Sequence, residues 1–260
     1  MKIINMNDKE LLIVEECARL HEHAFELFEQ GRDKDAFVCM LKSAELGDVL
    51  SQYHVGCYYE EGCGVKQNYI KAAEFYEKVS SCREMIVNGY PFMPLSPQCE
   101  AEFALGKLYE RGLLPYSTYE KALEWYEKAI SDGSSEAAFE MAKGYFNVSE
   151  YDRAADYLFA ASKGYPSEPL KEKLFSFCLR LLEKESSHTV QLLQLLGEFY
   201  GKGWGTEIIP DKAKACFERA AEIKNNQMRK DYGFAITDGI GRNKYARKSI
   251  QTNHGSKEKG

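Results

Sequence analysis

The chain has 260 residues, of which 44% are hydrophobic, 28% charged and 13% aromatic, a composition that supplies ample material for a packed core. A formal net charge of −6 gives no general attraction to nucleic acid or to an acidic membrane, and no run approaches the roughly 18 apolar residues of a membrane span. Eight cysteines are too dilute for a disulfide scaffold, and the opening MKIINMNDKELL carries no apolar block of signal-peptide length, so a cytoplasmic location is expected.

The chain repeats itself. A first copy over 8–47 carries Ala24, Leu27 and Ala36. The second, 50–81, sets the fuller pattern: Gly56, Tyr59 three residues on, Gly62 at plus six, Ala72 at plus sixteen and Tyr76 at plus twenty. An insertion over 82–99 follows, in which the second helix of the copy is expected to run to Asn88 and stop at Gly89. Its apolar loop, Tyr90, Phe92, Met93 and Leu95, either folds onto its own array or contacts a partner, and Ser96-Pro97 then reads as a helix start. The third copy, 100–133, repeats the register without a gap through Gly106, Tyr109, Gly112, Ala122 and Tyr126, but has Leu114 where the second copy has Gly64.

A shorter-looped copy over 134–164 has Ala142, Tyr145 and Ala154 in the corresponding places. Residues 167–185 then read as one extra helix with the stripe Leu170, Leu174, Phe177, Cys178, Leu181 and Leu182. A lone helix there inverts the up-and-down order and offsets the array; a worn repeat that lost its second helix is the other reading. The copy over 188–224 returns to the full register with Gly197, Tyr200, Gly203, Ala213 and Phe217. A degenerate copy, 227–241, keeps Gly233, Gly239 and Gly241, and 242–260 reads as a disordered basic tail. That tail has six Lys/Arg against one acid, so it is +5 and the rest of the chain, by subtraction, −11.

A period of this length with helical apolar spacing specifies stacked helix pairs. Small residues at the Gly106 and Ala122 positions let two antiparallel helices approach, and the aromatics fill the space between them. The GKGWGT stretch at 201–206 looks at first like a phosphate-cradling loop. The recurrence of its Gly203 and Gly205 as Gly62 and Gly64 makes it instead the link between two helices.

The pattern of a small residue, Leu-Gly, Tyr, a Gly-x-Gly-Val turn and a Lys-Ala second helix resembles the Sel-one-like repeat, a relative of the tetratricopeptide repeat. GCGV and KAAEFYEKV in 50–81 match it best, with LGEFYGKGWG and DKAKACFERA in 188–224 next. The resemblance implies an all-α, right-handed α-solenoid of antiparallel helix pairs whose first helices line a concave face that binds a protein or an extended peptide. On that face it places His21, Tyr53, Phe103, Lys107, Phe139, Lys143 and Gln194 as candidate groove residues. Aromatics beside lysines suit a peptide carrying apolar and acidic side chains; packing between neighbouring first helices is the plainer role.

Catalysis is not expected. HEH at 21–23 lacks the second metal-binding histidine of a zinc protease, because position 25 is Phe. SKEK at 256–259 matches a β-lactamase nucleophile pattern, but in a polar tail with no fold to position it. His54, Cys57 and Cys63 lack a fourth ligand with tight pairing, so no metal and no cofactor is expected. Cys82 and Cys99 bracket the insertion, and a disulfide between them is not expected in a reducing compartment. The expected function is an adaptor or scaffold. The rivals are an exported β-lactam-binding enzyme, which would need cysteines bridging the helices of each repeat, and self-assembly into an oligomer through an uncapped end of the array.

Overall fold

The structure is a computed structural model that describes residues 8–82, 96–164 and 166–251, with side-chain surroundings over 11–82, 96–164 and 166–230. Among the described residues it is all-helical. The elements are α1 (Asp8–Glu29), α2 (Asp33–Glu45), α3 (Val49–Glu61), α4 (Tyr69–Ser81), α5 (Pro97–Glu110), α6 (Tyr119–Ser131), α7 (Ser135–Asn147), α8 (Tyr151–Lys163), α9 (Glu168–Leu182), α10 (Thr189–Lys202) and α11 (Pro210–Gln251). The chain divides into two compact units, 1–174 and 175–260, with the division inside α9.

In the first unit every helix from α1 to α8 packs on the next, and α3 also touches α5. This is the stacking of a helical solenoid. No single pair can bury both of its apolar sides, so each pair is covered by its neighbours. α6 illustrates the local logic: Ala122, Tyr126 and Ala129 recur at helical spacing and are its buried residues. The core runs continuously from Ala24 on α1 through Met40, Val55 and Tyr76 to Leu105 and Leu108 on α5. In the second unit α10 packs along α11, and Phe175 meets Phe199 and Tyr200 edge-on.

The helix starts follow the sequence. Asp48, Asn68, Ser96, Thr118 and Ser134 each accept a hydrogen bond from the third residue of the helix they open, and Pro97 is the first residue of α5.

Two recurring features set the spacing of a pair. First, a Cβ added to Gly56, Gly106 or Gly197 would sit 2.5, 2.5 or 2.7 Å from the ring of Tyr76, Tyr126 or Phe217. The glycine is therefore the recess into which the ring of the second helix drops. Where the recess residue is Ala24 or Ala142, the corresponding position holds Met40 or Leu158, both fully buried. Second, Gly62 and Gly203 end α3 and α10 in the left-handed region, with φ of 78° and 71°. Trp204, beside Gly203, stacks on Phe199 at 6.3 Å and covers the end of α10.

Three sequence expectations are corrected. α4 ends at Ser81, not Asn88; Cys82 is extended, and its carbonyl accepts from the Gln98 side-chain amide at 3.2 Å. Gly233, Gly239 and Gly241 make no turn, because α11 is one helix to Gln251. The same helix includes 242–251, the first part of the segment read as a disordered tail. A glycine pair reverses the chain only where an apolar second helix follows to fold back. After Gly241 the sequence to Gln251 is Lys/Arg-rich and offers no such face. The apolar loop residues Tyr90, Phe92, Met93 and Leu95, and the SKEK motif, lie outside the described residues.

Candidate functional site

The first helices α3 and α5 border an open-sided cavity of about 230 Å³. α3 supplies Tyr53, Cys57, Glu60 and Glu61 along one side, and α5 supplies Glu100, Phe103, Ala104 and Lys107 along the other. Tyr76 of α4 reaches in from behind. The placement follows from the glycine recess. With Tyr76 seated against Gly56, its hydroxyl emerges beside α3 and donates to Glu60 Oε2 at 2.9 Å, with Cys57 Sγ 3.5 Å away.

The next repeat builds the same arrangement: Tyr126 donates to Glu110 Oε2 at 2.7 Å. The aromatic residue three before each glycine leans on the buried tyrosine ring, Tyr53 on Tyr76 at 5.8 Å and Phe103 on Tyr126 at 5.9 Å. Aromatic, glycine, glutamate and tyrosine therefore form a unit that occurs twice. The copy on α10 and α11 has Gln194, Gly197, Gly201 and Phe217 at those positions: no tyrosine hydroxyl, and no carboxylate to receive one.

Burial sets the electrostatics. It pushes the hydroxyls of Tyr53 and Tyr76 well above the ordinary tyrosine range and raises the Cys57 thiol, so these groups stay neutral. A thiol held away from its thiolate is a poor nucleophile. The Glu100 carboxyl is also raised, by burial first and then by the nearby carboxylate of Glu136. Glu60 Oε1 lies 3.9 Å from the half-exposed guanidinium of Arg111.

The sequence-predicted groove residues separate in the structure. Tyr53, Phe103 and Lys107 come together at the cavity, with the Lys107 ammonium 5.6 Å from the Phe103 ring centroid. His21 and Phe139 do not line a groove. His21 is 3% exposed; its Nδ1 is 3.0 Å from Ser51 Oγ and 3.8 Å from Asp48 Oδ2. It sits inside the contact of α1 with α3, its ring 5.2 Å from His54. Phe139 is buried with most of the first two turns of α7: Ser135, Ala137, Ala138, Met141 and Ala142 are buried beside it. Lys143 is half-buried, pairs with Glu140 and lies over Phe139. Gln194 is exposed on α10 of the second unit.

Sequence reasoning missed the acidic lining. The signal was present as the recurring Tyr-Glu of Tyr59-Glu60 and Tyr109-Glu110, four residues after each recess glycine.

The buried His21 and the half-buried His54 should make the first repeats acid-sensitive. The His54 pKa is lowered to about 4, by burial first and by His21 second, and His21 is lowered by burial against the pull of Asp48. A folded pKa below the unfolded ~6.5 means that unfolding takes up protons as the pH falls. Stability is complete above about pH 6.5 and declines toward pH 4, with His54 accounting for up to roughly 3 kcal/mol of the loss. His54→Leu should flatten the fall in unfolding free energy between these pH values by about one proton's worth; an unchanged slope in urea titrations would show that His54 does not carry it.

The family comparison agrees with this architecture. The family model for the Sel1 repeat matches residues 49–81, 99–134 and 193–225. No curated protein matches the chain. Among solved structures, a protective antigen of uropathogenic Escherichia coli strains displaying an SLR fold is 21% identical over 79% of this chain and 46% of its own, with a TM-score of 0.49. The chain thus spans under half the length of that relative. A Sel1 repeat protein from Oxalobacter formigenes is 18% identical over 84% of this chain and 76% of its own, with a TM-score of 0.48. An immunity protein from Pseudomonas aeruginosa is 15% identical over 79% of this chain and 82% of its own, with a TM-score of 0.31. The chain thus contains three Sel1 repeats, each a helix pair with its glycine recess, within an all-α fold.

Proposed function

We propose that the protein is a non-catalytic scaffold that holds a segment of another polypeptide against the α3–α5 face. The observation that carries this reading is the cavity itself, flanked by Tyr53 and Phe103 and lined at its rim by the exposed Lys107. Half-buried aromatics on two rigid neighbouring helices are the anchors on which polypeptide interfaces concentrate their energy. The pocket thiol is neutral rather than activated, which favours binding over chemistry.

A cytoplasmic adaptor is the setting we favour. All eight cysteines are free thiols, and Cys17, Cys99 and Cys178 are buried as small apolar residues. An exported enzyme of the cysteine-rich repeat kind would pair such residues across helices. Among the described residues, no helix is long and apolar enough to cross a membrane.

The test is affinity capture with the wild type, with Tyr53→Ala/Phe103→Ala and with Ala104→Gln, which fills the cavity without removing a core side chain. Partners specific to the wild type should be lost with both variants while the thermal melt of Ala104→Gln stays within a few degrees of wild type. Retention of every such partner by both would refute the reading.

A further inference from the structure

Resting on that reading, we infer that the α3–α5 cavity receives one cationic side chain, an arginine or a lysine, from the bound polypeptide. The volume of about 230 Å³ lies below the ~300–1,000 Å³ of sites that enclose whole small molecules, which suits a single side chain. The lining sets three carboxylates, Glu60, Glu61 and Glu100, against one ammonium, Lys107. Among the described residues the side-chain carboxylates of Glu61 and Glu100 form no hydrogen bond or ion pair.

Glu60 is differently placed: one oxygen accepts from Tyr76 and the other lies 3.9 Å from the Arg111 guanidinium, so the unpaired charge of the lining rests on Glu61 and Glu100. Aromatic walls and carboxylates are the two groups that together bind a guanidinium, by stacking and by charge-assisted hydrogen bonds. Phe103 already attracts a cation on its face, that of Lys107. Beside the cavity, a buried Glu136 carboxylate oxygen finds no hydrogen-bond donor, and Glu136 opposes the charge on Glu100. A cation entering between α3 and α5 relieves that repulsion. An acidic peptide side chain, expected from the lysines alone, would meet the wrong field here.

The probes are a dye-labelled octamer of arginine and the matching octamer of citrulline, which is neutral and of the same shape. Anisotropy is read at about 0.15 M salt, where the ~8 Å Debye length suppresses attraction to distant charge. The arginine octamer should bind at least tenfold more tightly than the citrulline octamer. Glu61→Gln/Glu100→Gln should weaken it at least tenfold. Glu120→Gln/Glu124→Gln, an equal charge change at exposed positions on α6, should weaken it less than twofold. Equal losses from the two pairs, or equal binding of the two octamers, would overturn the inference. A captured partner that needs Tyr53 and Phe103 but ignores Glu61→Gln/Glu100→Gln would leave the binding face standing and remove the cation; one indifferent to both sets would remove both.

Discussion

Gly64→Ala should cost about 3 kcal/mol in urea denaturation, while Gly112→Ala should cost about 1 kcal/mol, although both glycines lie in the link between the two helices of a repeat. Their φ angles are nearly the same, 67° and 68°, so the penalty for placing an L side chain in the left-handed region is shared. The surroundings differ. A Cβ on Gly64 would lie 2.1 Å from the carbonyl oxygen of Asp33 and 2.5 Å from its carbon, whereas one on Gly112 meets nothing within 4 Å.

The obstacle at Gly64 is backbone, which cannot rotate aside. It is also the first residue of α2, so the α3–α4 link is keyed to the preceding repeat. Equal costs at the two glycines would show that the links do not lock neighbouring repeats together.

Gly106→Ala should cost about 2 kcal/mol, and the cost should fall when Tyr126 is replaced by Leu. The new methyl would lie 2.5 Å from Cδ1 and Cε1 of Tyr126. That ring is 2% exposed and its hydroxyl is tied to Glu110 at 2.7 Å, so it cannot swing away. The chain contains the alternative solution: Ala142 in the recess goes with Leu158 at the ring position, and both are fully buried. A double-mutant cycle of Gly106→Ala with Tyr126→Leu should therefore return a favourable coupling of about 1 kcal/mol or more. Simple additivity would mean that recess and ring are chosen independently.

These two sites also show how far the sequence could be read. The glycine, tyrosine and turn-glycine register was legible because helix pairing demands it at fixed spacing, and it specified an all-α solenoid. What it could not reveal was compensation within a loop. With Leu114 in place of the second turn glycine, the third repeat buries that leucine, and Ser117 hydrogen-bonds both its N–H and its carbonyl. The left-handed residue becomes Tyr116, with φ of 56° and its side chain in solvent. Nothing local in GLLPYST announces that exchange.

At the candidate site the aromatic positions were legible and their exposure was not. Tyr53, Phe103 and Phe139 occupy one place in the repeat. Whether such a residue faces a cavity or the core depends on what the neighbouring helices cover, and Phe139 lies on a buried side of α7 with Ala138, Met141 and Ala142. His21 went the same way, drawn inside by Ser51 and Asp48 of the next repeat. The acids were overlooked because an exposed-looking glutamate on a helix is ordinary; only the buried tyrosine sixteen residues later gives Glu60 its place.

The most direct test of the account places a photo-crosslinking amino acid at position 107, on the exposed rim of the α3–α5 cavity, and separately at position 124, exposed on α6. After irradiation with captured partner present, the protein labelled at 107 should carry a covalently attached partner segment that mass spectrometry can sequence, and the protein labelled at 124 should carry none. Attachment at 124 with none at 107 would place the binding surface elsewhere and contradict the account.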